Sequence, residues 1–342
     1  MKKDTPTYNS IMGDLKKGNY AMVYFLQGEE IFYTDRICDY IEEHALQPHE
    51  KDFNLNILYG KDVNVGTILN NARKFPWMSD RQVVIVKEAQ EVSDLDSNSD
   101  LLIKYLQNPL QSTILVFAYK HKKLDGRKQL NKVFNETALV LTSEKVKDYH
   151  LNDWINNLLR EKGLQSRPDA VHLLAEFLGT DLSRIDNEVE KLKINLKPGE
   201  TITADMVMEF IGISKDYNVF ELQTAIVKRN VEKAYRIVNY FQQNPKDNNI
   251  IGTLAILFSF FTKMVIVASL QKPTEAEVAS KLKIPPYHTG QFFEGARNYP
   301  ARHLVKIIRL LRNLDAKAKG VESGSISPGS LYQELLIGIF KA

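Results

Sequence analysis

The residues of this 342-residue chain best placed to do chemistry surround a glycine, in FLQGEEIFYTDRI (residues 25–37). An apolar run, a glycine and then a helical pattern is where a nucleotide-binding protein puts its phosphate loop, G-x-x-x-x-G-K-[ST]. Its backbone N–H groups cradle phosphate, its lysine neutralises charge and its hydroxyl holds magnesium. Counted from Gly28, the second glycine position holds Tyr33, the lysine position Thr34 and the hydroxyl position Asp35. Glu29, Glu30 and Asp35 would repel a phosphate. The apolar run VVIV (83–86) should end in a magnesium-binding aspartate if such a site worked, and it runs into Lys87 and Glu88 instead. The spacing predicts a degenerate nucleotide pocket that takes no cofactor.

Other chemistries find less support. The histidines, at 44, 49, 121, 150, 172, 288 and 303, show no paired spacing and no H-E-x-x-H, so no metal is expected. The single cysteine, Cys38, excludes an internal disulfide and reads as a packing residue in a reducing compartment. There is no G-x-S-x-G elbow. Binding is therefore a better expectation than catalysis, and two stretches could bind. KFPWMSDRQ (74–82) places Trp77 and Met78 on a connection, where they could cover their own domain's core or meet a partner. In ARHLVKIIRLLRNLDAKAK (301–319), Leu304, Ile307, Ile308, Leu311 and Leu314 make an apolar stripe. Arg302, Lys306 and Arg309 line another face, either solvated or phosphate-contacting.

The elements that must position these residues follow from the hydrophobic pattern. Five β-type runs, AMVYFLQG, DFNLNILYG, QVVIVKEA, STILVFAY and ALVLTS, alternate with helical patterns over residues 1–147. Runs such as VVIV and ILVF are apolar on both faces, which predicts a five-stranded parallel sheet with helices on both sides. Beyond SEKVKDYHL the strands are expected to stop. Short helices then fill 148–212, with Pro168 suited to a first helical turn, and an all-α domain fills 213–342.

Hydrophobic content of 44% and charged content of 25% describe an ordinary folded protein. The net charge of +3 hides an asymmetry: 27 Lys/Arg against 32 Asp/Glu through Gly212, then 18 against 10 beyond it. The basic end is the better candidate for meeting nucleic acid. The start of the chain does not read as a signal peptide. IIGTLAILFSFFTKMVIVASL (250–270) is nearly long enough to span a bilayer, but Lys263 interrupts it. It reads as the central helix of a domain whose lysine stem extends outwards, so no membrane is expected.

Six stretches in this order carry a family resemblance over essentially the whole chain: YFLQGEEIFYTDRI, DFNLNILYG, RKFPWMSDRQVVIVKEAQ, NPLQSTILVFAY with KLDGRKQLNK, LGTDLSRIDNEVEKL and IPPYHTGQFFEGARNY. Together they resemble the delta subunits of bacterial DNA polymerase III clamp loaders, AAA+-group proteins that have lost ATP binding. Where hydrolysing relatives show G-[ST]-x-R in the helical lid, Gly179, Thr180 and Asp181 lead to Leu182. RKQLNKVFNET lacks the Ser-Arg-Cys finger of ATPase subunits.

The resemblance implies a noncatalytic adaptor of DNA replication, cytoplasmic and within the replisome, whose only nucleotidyltransferase label would be inherited from the polymerase complex. It implies an AAA+-like α/β domain, a helical lid and a C-terminal collar domain. The implied partners are the sliding clamp (the beta subunit), the gamma/tau ATPase subunits, the delta-prime subunit and primer-template DNA within the assembled loader. It also places Trp77 and Met78 where the family inserts two apolar residues into the clamp, often Leu-Phe, so that one ring interface opens. The competing readings are a nucleotide hydrolase with an atypical phosphate site and a stand-alone DNA-binding protein.

Overall fold

The computed structural model describes residues 6–211, 214, 217–245, 248–284, 286–321 and 326–342. The chain divides into two compact units, Met1–Val146 and Lys147–Ala342. The expected boundary at Gly212 lies outside the described residues.

The first unit runs α1 (Tyr8–Lys16), β1 (Val23–Gly28), α2 (Ile31–His44), α3 (Lys51–Asn54), β2 (Leu55–Tyr59), α4 (Val65–Ala72), β3 (Gln82–Lys87), α5 (Ser99–Gln107), β4 (Thr113–Lys120), α6 (Gln129–Thr137) and β5 (Leu139–Ser143). All five strands are parallel, in the order β2-β3-β4-β1-β5. Alternation along each strand divides the core into two layers. Val23, Phe25, Val84, Val86, Leu115 and Phe117 face one side, with Ile68 and Leu69 of α4, Leu102 of α5 and Phe134 of α6. Tyr24, Leu26, Val83, Ile85, Ile114 and Val116 face the other, with Ile37 and Ile41 of α2. Each fully buried aliphatic or aromatic side chain contributes roughly 1.5–3 kcal/mol, so both faces of β3 and β4 must be covered. Ile11 and Leu15 of α1 complete the second layer. That helix was not expected: it is nine residues long, and its N-terminal capping box is Thr7 with Ser10, not the usual Glu or Gln.

The second unit comprises α7 (Asp148–Glu161), β6 (Gln165–Ser166), α8 (Pro168–Leu178), α9 (Leu182–Asn195), β7 (Thr201–Ile202), α10 (Ala204–Phe210), α11 (Val219–Val227), α12 (Val231–Gln243), α13 (Ile250–Ala268), α14 (Glu275–Leu282), α15 (Thr289–Asn298), α16 (Ala301–Ala318) and α17 (Pro328–Lys341). Pro168 opens α8, where its missing N–H costs nothing. Strands do not stop at residue 147. Gln165–Ser166 pairs in parallel with Thr201–Ile202, and Ile202 is buried between the helices; two-residue strands are too short to show periodicity.

The apolar stretch at 250–270 is α13. By length and composition it could cross a membrane, with 44% of its apolar window buried. Here it is the central helix of the C-terminal part, packing on α11, α15, α16 and α17. Leu254, Leu257, Phe261 and Met264 are buried in the shared core. Gly295 brings α15 close to it, since a Cβ there would lie 2.6 Å from the Met264 methyl. The expectation for Lys263 needs correcting: its ammonium does not simply reach for water but meets Glu176 Oε1 of α8 at 3.3 Å.

Candidate functional site

The turn after β1 sits at the C-terminal edge of the parallel sheet, where open α/β folds bind their ligands. Here the chain fills it. Gly28 has φ +133°, and a Cβ on it would lie 2.0 Å from the Ser143 carbonyl oxygen, so β5 lies directly against the turn. The N–H of Gly28 donates to the Lys122 carbonyl (3.2 Å) and that of Glu29 to the Ser143 carbonyl (3.0 Å). The Ser143 hydroxyl donates to the Glu30 carbonyl (2.8 Å). Glu30 itself caps α2, its Oε1 accepting from the Phe32 N–H at 3.2 Å. A buried carboxylate of the protein thus stands where a phosphate would use the helix N-terminus.

The other predicted positions are equally occupied. Tyr33 packs on Tyr8, ring centroids 4.7 Å apart, and Thr34 is buried. Asp35 pairs with Lys120 at the end of β4 (2.7 Å), which also meets Glu88 (3.1 Å). Lys87, at the magnesium-aspartate position, pairs with Glu42 of α2 (3.1 Å). Burial pushes both lysines down, but hydrogen bonds and charge from Asp35 and Glu88, and from Glu42 and Asp39, outweigh it and leave both above the usual lysine value. Leu182, at the sensor-arginine position, is a buried first-turn residue of α9.

The opposite edge of the sheet is built differently. Between α4 and β3, Trp77 is 65% exposed, Met78 88% and Phe75 83%. The possibility that Trp77 and Met78 cover their own core is therefore overturned. Leaving such side chains in water forgoes the usual gain from burial. Pro76 restricts its own φ and disfavours helical backbone at Phe75, and Met78 has φ +49°, a left-handed conformation unfavourable for a side-chain-bearing residue.

The loop is held by polar groups beneath it. Asn54, 2% exposed at the end of α3, accepts from the Trp77 N–H (2.6 Å) and donates to the Trp77 carbonyl (2.9 Å). Buried Gln82 directs its amide to the Asn71 and Ala72 carbonyls (3.2 and 3.3 Å) and to Thr113 Oγ1 (2.9 Å). The Ser79 hydroxyl donates to the Arg81 carbonyl (3.0 Å). Glu50, just before α3, is held below the usual carboxylate range chiefly by the Gln47 N–H, which donates to its Oε2 at 2.7 Å. Two residues escaped the sequence reading. Phe75 could have been found, being in the same stretch beside Pro76; Asn54 could not, because KDFN carries no signal and its partner lies 23 residues on.

On α16, Leu304, Ile307, Leu311 and Leu314 are buried and Ile308 is half-buried, while Arg302, Lys306 and Arg309 are exposed together on the other face. Lys306 Nζ reaches the Ala342 carbonyl at 3.3 Å. The ring of His303 between them is pushed down, first by burial and then by Arg302, Lys306 and Arg229. The two stretches expected to bind thus lie in different units.

A five-stranded parallel sheet of this order, a turn after β1 filled by the chain's own groups and a helical C-terminal part define an α/β protein with a helical extension. Sequence comparison assigns the member. The family model for the DNA polymerase III delta subunit matches residues 24–144, and the model for the C-terminal domain of the same family matches 216–338. The chain belongs to the DNA polymerase III delta subunit family. It is 27% identical over 333 residues to the DNA polymerase III subunit delta of Bacillus subtilis, covering 95% of this chain and 93% of that one. It is 22% identical over 264 residues to a probable subunit delta of Aquifex aeolicus, covering 74% and 72%. The solved Bacillus subtilis DNA clamp loader delta protein superposes with a TM-score of 0.61 at 25% identity, over 98% of this chain and all of that one.

Proposed function

We propose that this delta subunit binds the sliding clamp through Trp77 and Met78 and favours the ring with one interface open. The observation that carries the reading is that both side chains stand in water on a loop whose backbone is tied down. Tryptophan is a frequent interface anchor and methionine adapts to irregular pockets. Binding opens the ring only to the extent that the open form is bound more tightly than the closed one. The chain acts without a catalytic centre or cofactor of its own, because the N–H groups, carboxylates and lysines of the degenerate turn are engaged with one another. Its organisation is 1–147, α/β domain with the clamp-binding element; 148–212, helical lid; and 213–342, collar domain. The collar joins the gamma/tau ATPases and delta-prime in the cytoplasm, and their ATP state governs access to the loop.

The test is binding of the purified chain to its own organism's sliding clamp, with Trp77→Ala/Met78→Ala alongside and circular dichroism as the folding control. Tight binding lost in the variant supports the reading. Absence of wild-type binding, with or without ATP, overturns it, and ATP binding by the isolated chain would favour a hydrolase. In the assembled loader, Arg302, Lys306 and Arg309 face primer-template DNA. Their joint change to Ala is expected to reduce the slope of log affinity against log salt by about 2–3; an unchanged slope returns them to solvent.

A further inference from the structure

Resting on the clamp-binding reading of Trp77 and Met78, we propose that Asn54 is the positioning residue that holds the binding loop in its competent shape before the clamp arrives. Its side chain uses its acceptor and both donors: Oδ1 takes the Trp77 N–H at 2.6 Å, and Nδ2 gives to the Trp77 carbonyl at 2.9 Å and the Glu50 carbonyl at 3.1 Å. The amide orientation is settled by the N–H it must accept. Both backbone groups of the anchor residue are thereby fixed to α3, and the next residue, Met78, is held left-handed at φ +49°. A free loop would relax from that conformation. The pair of bonds spans 23 residues of sequence, so it forms only when α3 and the α4–β3 loop are already packed. Exposed apolar side chains cannot order their own loop, because they have nothing to pack against. Asn54 supplies that order from below, so the entropic cost of arranging the anchors is met during folding and not on binding.

The test separates order from fold. With Trp154→Phe, Trp77 becomes the single tryptophan, and its anisotropy and acrylamide quenching report loop mobility in the clamp-free protein. Asn54→Ala is expected to lower the anisotropy, raise the quenching and weaken clamp binding about 10-fold, the order expected from losing two hydrogen bonds. Asn54→Asp keeps the shape but turns the donor facing the Trp77 carbonyl into an acceptor, so it gives the same direction of change should Ala fold poorly. In a Trp77→Ala background, where one anchor is already gone, the further loss from Asn54→Ala is expected to shrink. Unchanged quenching, or a mobile loop with unchanged affinity, would overturn the role of Asn54 and leave the clamp-binding reading standing. A wild-type chain that does not bind the clamp overturns both.

Discussion

The two edges of the same sheet bond their backbone equally well and treat their side chains in opposite ways. At the C-terminal edge, the turn at Gly28 has its N–H groups satisfied by Lys122 and Ser143, its helix capped by Glu30 and its lysines paired with carboxylates. At the N-terminal edge, the loop before β3 is equally well bonded along its backbone, yet it leaves Phe75, Trp77 and Met78 in water. A site that has been closed turns its polar groups on itself, whereas a site kept open uses them only to hold its shape. The edge where an α/β fold ordinarily binds ligands is filled by the chain's own groups, and the opposite edge carries the candidate interface.

The contrast predicts separable phenotypes. Trp77→Ala with Met78→Ala should cost clamp affinity about 100-fold or more, the order expected when two anchors are removed, with little change in the urea midpoint because neither side chain is in the core. A comparable midpoint shift would make the loop structural after all. Gly28→Val should do the reverse. With φ +133° and the Ser143 oxygen 2.0 Å from any Cβ, it should destabilise the fold by about 3 kcal/mol or more, leaving the folded fraction's clamp affinity intact. Phe75→Ala should weaken the clamp about 10-fold if the surface extends one residue before Pro76; titration calorimetry of the single variant decides that.

The smallest effect is electrostatic. Burial pushes the Glu88 carboxyl up, but hydrogen bonds from Gln90 and Lys120 outweigh it and leave it below the usual carboxylate value. Its stabilisation is therefore present above about pH 4.3 and lost as pH falls through the depressed folded value. Lys120 is raised, so its contribution holds below about pH 10.4 and is lost as pH climbs through the raised value. Glu88→Gln should flatten the acid limb of the urea midpoint between about pH 3 and 5 and reduce the alkaline limb without abolishing it, since Asp35 still pairs with Lys120. An unchanged acid limb would mean that the sealed turn draws little from this pair.

Much of this was legible without coordinates. Strands apolar on both faces announced a covered parallel sheet, and Tyr33, Thr34 and Asp35 could be seen to stand where a phosphate loop needs Gly, Lys and Ser or Thr, because both signals lie in short continuous stretches. The β6–β7 pair was not legible, since two-residue strands show no period, and α1 was missed because YNSIMGDLK holds a glycine and only two core residues, Ile11 and Leu15. For Trp77 and Met78 the residues alone allowed either a core or a partner.

The amino-acid order by itself determined which residue types stand at the phosphate-loop positions, which runs become strands and helices, and that two large apolar residues lie on a connection. Only the tertiary structure decided which groups fill the turn after β1 and which way those two residues face. Glu30 meets Ser143 across 113 residues and Trp77 meets Asn54 across 23. Such hydrogen bonds join groups whose separation along the chain carries no pattern, so they exist only once the sheet and its helices have packed.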